Sequence, residues 1–161
     1  IIAKKVKIKK TMVEQILSKA GIPHQGIQIN ALEGELPQGY ERDQIFKTLA
    51  LLGDKTGPII GIVPITKHLS EKKLAKISGN KKVNMIPQKD LEKTTGYVHG
   101  ANNPVGIRQK HNYPIFIDQT ALDLDQMIVS AGEVGHSIII RPQDLASFVK
   151  GDFADILEEN N

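Results

Sequence analysis

Apolar positions along the chain repeat with two periods. Met12, Val13, Ile16, Leu17 and Ala20 form one stripe of a 3.6-residue period. Thr11 precedes it with Glu14 three positions on, and Gly21 and Pro23 follow. This predicts a helix with a capping box that stops at Gly21. Ile45 to Leu52 and Pro58 to Val63 are dense in Ile, Leu and Val and flank Gly53-Asp54-Lys55-Thr56-Gly57, which predicts a β-hairpin with a five-residue loop. Ser70 caps a predicted helix to Ile77, ended by Gly79-Asn80. A short strand is expected at Lys81 to Met85, and a short helix from Pro87 to about Lys93. Strands at Ile115–Asp118, Met127–Ser130 and Ile138–Arg141 and a helix over Pro142 to Val149 complete the series. Residues 30–44 show no clear period and contain two glycines and a proline, so a loop with one short helical turn is expected. Short strands interrupted by short helices argue for a mixed α/β fold, a sheet able to close as a barrel with helices outside.

Between the last two groups lies Thr94 to Gly106, with three glycines, one proline and two asparagines. Glycine tolerates positive φ and close approach, and proline fixes φ. The segment is either an irregular connection or a preorganised loop with exposed N–H groups.

The 161 residues, 40% apolar, fit one domain, here taken as residues 11–161 behind a basic arm over residues 1–10 that is either frayed or touches a phosphate backbone. No apolar run approaches a membrane span, and no secretory signal opens the chain. Without cysteine there are no disulfides, thiolate metal sites or cysteine nucleophile, and the cytoplasm is the expected compartment. The net charge of +3 hides a split: residues 1–110 carry 19 Lys/Arg against 9 Asp/Glu, and residues 111–161 carry 2 against 9. Clustered lysines are either a solvated face or the contact surface of an anionic partner such as nucleic acid.

Lys47 is the most unusual side chain. Period two places Ile45, Lys47, Leu49 and Leu51 on one face, so an ammonium sits among aliphatic neighbours. Either it meets a partner or a cavity mouth, where binding a phosphate offsets the burial cost, or its strand is a sheet edge. None of His24, His68, His99, His111 and His136 has metal-site or triad spacing, so no metal is expected. His99 lies in the glycine-rich segment, where it can titrate or donate, or simply pack. Ser130 lacks a nucleophile elbow but can donate a hydrogen bond, and Asp118 at a strand end reads equally as a functional carboxylate or a cap. Walker and dinucleotide-binding patterns are absent.

Phe46-Lys47-Thr48-Leu49, Lys81-Lys82-Val83, Thr95-Gly96-Tyr97, Gly100-x-x-x-Pro104-x-Gly106, Val129-Ser130-Ala131-Gly132 and Pro142-Gln143-Asp144-Leu145 occur in the order and spacing of the YbaK/EbsC family. The chain resembles that family over about residues 11–157 and is most similar to its EbsC-type members, stand-alone relatives of the prolyl-tRNA synthetase editing domain. The resemblance implies a mostly antiparallel, barrel-like β-core surrounded by short helices. It also implies hydrolytic removal of cysteine from tRNA for proline, without cofactor. The partners it implies are the aminoacyl-tRNA 3′ end and prolyl-tRNA synthetase. By the same resemblance Lys47 and Gly100 are the catalytic positions, and Thr48, Tyr97, Pro104, Asp118 and Ser130 are substrate-binding. The nucleophile comes from the substrate: the cysteinyl thiol attacks its own ester, or the ribose hydroxyl activates water. Deacylation of another small group such as alanyl, and tRNA binding without hydrolysis, are the alternatives. Residues 30–44 are shorter than the matching segment of typical YbaK members, which helps form the aminoacyl pocket, and Ala101-Asn102-Asn103 replaces the common Gly-Ile-Ser. Editing is needed because a pocket separates side chains of near-equal volume by only ~1–3 kcal/mol.

Overall fold

The capping box forms as the sequence predicts. Glu14 N–H donates to Thr11 Oγ1 at 3.3 Å, Thr11 N–H donates back to Glu14 at 2.7 Å, and α1 runs Met12–Lys19. In the computed structural model, which describes residues 9–159, α1 buries Val13 and Leu17. Most of the basic arm, residues 1–8, lies outside the described residues.

The strands are β1 (His24–Ile27), β2 (Phe46–Gly53), β3 (Gly57–Pro64), β4 (Val83–Met85), β5 (Ile115–Asp118), β6 (Met127–Ser130), β7 (Ser137–Ile140) and β8 (Asp152–Ala154). The remaining helices are α2 (Glu71–Ser78), α3 (Gln88–Thr95), α4 (Pro104–Lys110) and α5 (Pro142–Val149). Short 3-10 turns occupy 31–33, 42–44 and 119–123. One sheet has the order β1-β7-β6 and the other β4-β2-β3-β5-β8. Pairing is antiparallel except at β3–β5 and β5–β8. The fold is therefore mixed α/β and mostly antiparallel. The described residues form no closed barrel: the larger sheet ends in three-residue strands on both sides, and a single parallel bridge, Ile45 to Ile128, links the two sheets.

The largest core fills the space among both sheets, α1, α4 and α5, with Phe46, Ile60, Ile107, Ile117, Val129 and Leu145 among its members. A second core lies under α2, whose Leu74 and Ala75 pack with Leu51, Ile59 and Val63. Strand β2 thus serves cores on both faces, Phe46 and Ala50 on one and Leu51 on the other. The hairpin turn is tighter than expected, with only Asp54–Thr56 between the strands. Buried Asn80 braces it, its Oδ1 accepting from Lys55 N–H at 2.8 Å and Thr56 N–H at 3.0 Å.

Part of the glycine-rich segment is helical. Asn103 caps α4 by accepting from Gly106 N–H at 2.6 Å, Pro104 takes the first turn, and Val105, Gly106 and Ile107 are buried. Gly106 sits where a Cβ would run into the Tyr97 ring, so its glycine serves helix packing.

Candidate functional site

Strand β2 is not a terminal strand of its sheet, because β4 and β3 flank it. Its flank is nonetheless incomplete. β4 pairs only with Leu51, Leu52 and Gly53, and the backbone bridge to β6 is made by Ile45, just ahead of β2. The Ile65 N–H donates to Ile45 C=O at 2.9 Å, which makes Ile45, Lys47 and Leu49 the hydrogen-bonded partners of β3 and turns the main chain of Thr48 the other way. Between the two contacts the strand margin is open.

A cavity of about 520 Å³ runs along this margin. Four consecutive residues, Lys47, Thr48, Leu49 and Ala50, line it, which alternating side chains achieve only where a ligand space follows the strand's edge. Ile86 and Leu91, from the segment leading into and through α3, form a second wall, with Ile86 N–H donating to Ala50 C=O at 3.1 Å. Asn30, Leu32 and Glu33 form a third, and His99, Gly100, Asn102 and Val134 a fourth. The lining mixes apolar side chains with Asn30, Glu33, Lys47, Thr48, Gln88, His99 and Asn102, a combination of shape and polar contacts that a small-ligand site uses.

Lys47 is half-buried, and burial pushes its ammonium below the usual lysine value of 10.5. No hydrogen bond or ion pair ties its Nζ among the described residues. Thr48 is buried, and its Oγ1 has no hydrogen-bond partner. Groups left unsatisfied in this way concentrate at functional sites.

The glycine-rich wall is preorganised by side chains. Fully buried Thr95 donates from Oγ1 to Asn102 Oδ1 at 2.8 Å and accepts from Tyr97 N–H at 3.1 Å. Asn103 Nδ2 donates to Ala101 C=O at 3.1 Å. Gly100 takes φ +88, the left-handed region that favours glycine, and Ala101 N–H donates to Val98 C=O at 3.0 Å. The Ala101 donor is therefore committed, whereas the Gly100 N–H has no internal acceptor among the described residues.

The structure brings Lys47, Thr48 and Gly100 together at the cavity and leaves the other four candidates outside its lining. Tyr97 packs beside Gly106 with Lys110 Nζ 4.2 Å from its ring centroid, and Pro104 is buried in the first turn of α4. Ser130 Oγ accepts from Gly132 N–H at 3.1 Å. Asp118 is buried and holds two backbone donors, Thr120 N–H at 3.0 Å and Ile156 N–H at 3.1 Å. Sequence reasoning passed over Glu33, Asn102 and Val134 as individual lining residues; no periodicity marks them, since each sits on an irregular segment. Among the described residues no cluster of His, Asp and Glu could hold a metal, and no helix is long and apolar enough to cross a membrane.

Residues 34–148 match the model of the aminoacyl-tRNA editing domain. The chain belongs to that family. This editing domain is 37% identical to a protein of Enterococcus faecalis provisionally named the Cys-tRNA(Pro)/Cys-tRNA(Cys) deacylase EbsC, over 96% of this chain and 97% of that one. The fold recurs in the crystal structure of a protein provisionally named a trans-editing enzyme for prolyl-tRNA synthetase, with a TM-score of 0.78, 21% identity, and coverage of 91% of this chain and 94% of the other. A hypothetical protein of known structure aligns with a TM-score of 0.79 and 21% identity over 91% of the editing domain and 99% of its own chain.

Proposed function

We propose that residues 11–161 form one trans-editing aminoacyl-tRNA deacylase, working in the cytoplasm on cysteine mischarged onto tRNA(Pro) and on Cys-tRNA(Cys), with prolyl-tRNA synthetase as the partner that presents the substrate. One observation carries the reading: a free ammonium, Lys47, stands in a cavity whose lining holds no serine or cysteine nucleophile, inside a family that cleaves aminoacyl esters. The only hydroxyl of the lining, Thr48 Oγ1, is buried.

In this reading, which follows the family resemblance, the cysteinyl sulfur supplies the attacking group. The thiolate attacks its own ester carbonyl, a C–S bond forms, and the C–O bond to the ribose breaks. The thiol proton ends on the ribose oxygen, and water opens the resulting thiolactone to free cysteine. Lys47 binds the terminal phosphate, and its charge favours the thiolate. In this scheme the Gly100 N–H, which has no internal acceptor among the described residues, donates to the carbonyl oxygen as negative charge develops there. Removal of one such donor typically costs ~100- to 1000-fold in turnover.

A deacylation panel of Cys-, Ala- and Ser-charged tRNA tests the reading. Cys-tRNA(Pro) is expected to be cleaved fastest, with Lys47→Ala lowering its turnover by at least about 100-fold. Faster cleavage of Ala-tRNA excludes thiol attack, binding of charged tRNA without hydrolysis excludes the deacylase, and unchanged turnover in Lys47→Ala removes that residue from the reaction.

A further inference from the structure

A carboxylate shares the cavity with the Lys47 ammonium without pairing to it. Glu33 and Lys47 both line the space, yet no ion pair joins them, and the Glu33 carboxylate accepts no hydrogen bond among the described residues. Glu33 is solvent-exposed as well as lining, so it stands on the open side of the cavity.

Its backbone is fixed. Ala31 is buried against Ile45, Ile128 and Ile139. Asn30 C=O accepts from Glu33 N–H at 3.1 Å and from Glu35 N–H at 3.3 Å, and Gly34 ends the turn at φ +95. Just upstream, Ser137 Oγ donates to Ile29 C=O at 2.8 Å and clamps the segment to β7. Glu33 lines the cavity from its exposed side and Lys47 from its half-buried strand, and no ion pair joins them. The cavity therefore presents a ligand with a carboxylate and an ammonium that are not paired to one another.

An aminoacyl-tRNA terminus has the complementary polarity, an α-ammonium on the amino acid and phosphates beyond the ribose. We propose that Glu33 receives the α-ammonium of the aminoacyl group while Lys47 takes the phosphate, so that the pair sets the direction of the ester in the cavity and selects esters with a free α-amino group over N-acylated or peptidyl ones. The proposal rests on the deacylase reading above. Glu33 contacts the substrate at the α-ammonium in this scheme, two bonds from the ester carbonyl carbon, and takes no part in the bonds that change.

The test compares Cys-tRNA(Pro) with N-acetyl-Cys-tRNA(Pro) on wild type, Glu33→Gln and Glu33→Asp. In parallel it measures binding of 3′-deoxy-3′-(alanylamino)adenosine, a non-hydrolysable amide, and of its N-acetyl form. Wild type is expected to prefer the free amine by about 10- to 100-fold, the range of a charge-assisted hydrogen bond. Glu33→Gln loses that preference through KM, Glu33→Asp keeps part of it, and all three treat the N-acetyl substrate alike. A purely structural role would lower both substrates together. Wild type indifferent to acetylation, or Glu33→Gln that keeps the preference, overturns the proposal. Hydrolysis without amine preference defeats the Glu33 assignment alone. Glu33-dependent binding of the amine analogue with no hydrolysis of Cys-tRNA defeats the deacylase reading and leaves the assignment standing.

Discussion

Replacing Thr48 by valine should make the protein more stable and less active. Thr48 is 6% exposed and its Oγ1 has no hydrogen-bond partner. A buried hydroxyl that gives up water without a new partner costs ~1–3 kcal/mol, and an apolar isostere removes that cost. Valine matches threonine in shape, so no cavity or overpacking offsets the gain. The expected stabilisation is about 1–2 kcal/mol, and at roughly 2–4 °C per kcal/mol for a chain of this size the melting temperature rises by about 2–8 °C. Urea unfolding and calorimetry measure the change, with Thr48→Ser as control: it keeps the hydroxyl, loses a methyl, and should be destabilised by about 1 kcal/mol. Thr48 lines the cavity, and a substrate that reaches its Oγ1 gives that atom the partner it lacks, so Thr48→Val should lose at least about tenfold in kcat/KM on Cys-tRNA(Pro), the worth of one hydrogen bond to a charged group. A lower midpoint for Thr48→Val would refute the reasoning, since it would mean the hydroxyl is satisfied in solution.

Lys47→Met should be more stable than wild type at neutral pH. The folded-state value of Lys47 lies below the unfolded 10.5, so the unfolded chain binds more protons between the two; wild-type stability rises with pH through that window, and the gap to Lys47→Met closes as pH passes 10.5 in urea titrations at stepped pH. Asn80→Ala removes the acceptor of Lys55 N–H and Thr56 N–H and two donated bonds, to Thr56 Oγ1 and Ser78 Oγ; a loss of about 2–4 kcal/mol in urea unfolding is expected. Asp118→Asn weakens the two backbone bonds made outside the cavity lining and should lower stability by about 1–3 kcal/mol while kcat/KM of the folded enzyme stays unchanged. A selective fall in kcat/KM would return Asp118 to the substrate.

The elements that were legible in sequence carry their own local signals. The box at Thr11 and Glu14, the Ser70 cap and the Gly79 stop each appear where chain chemistry alone demands them. β1 and β8 were not read, because His-Gln-Gly-Ile and Asp-Phe-Ala lack strand periodicity and are ordered by their neighbours β7 and β5. α4 was hidden by its glycine, which answers to the Tyr97 ring. Lys47 was legible as a charge out of place, and its cavity was not, since that space arises from a gap between β4 and β6 that only tertiary pairing creates. Ser130 and Asp118 each hold backbone donors, a role that the sequence alone does not separate from substrate contact.

Two contacts described above bracket the variable wall of the cavity: the Ser137 clamp on Ile29 and the Ile65 bond to Ile45. Between them residues 30–44 make their own short turns, while β2 and the glycine-rich wall are held by other partners. The segment is tied to the body near both ends, by Ala31 in the core and by the bonds of Asp43 to Thr66 and Gln44 to Gln126, and its exposed middle is free to change in length. Doubling the length of such a loop costs only about 0.6 kcal/mol in closure entropy, so a longer insert from another member can be grafted at these two anchor points. On the proposed function, such a graft asks whether this wall selects the amino acid, because Lys47, Thr48 and Gly100 lie on other segments and keep their places.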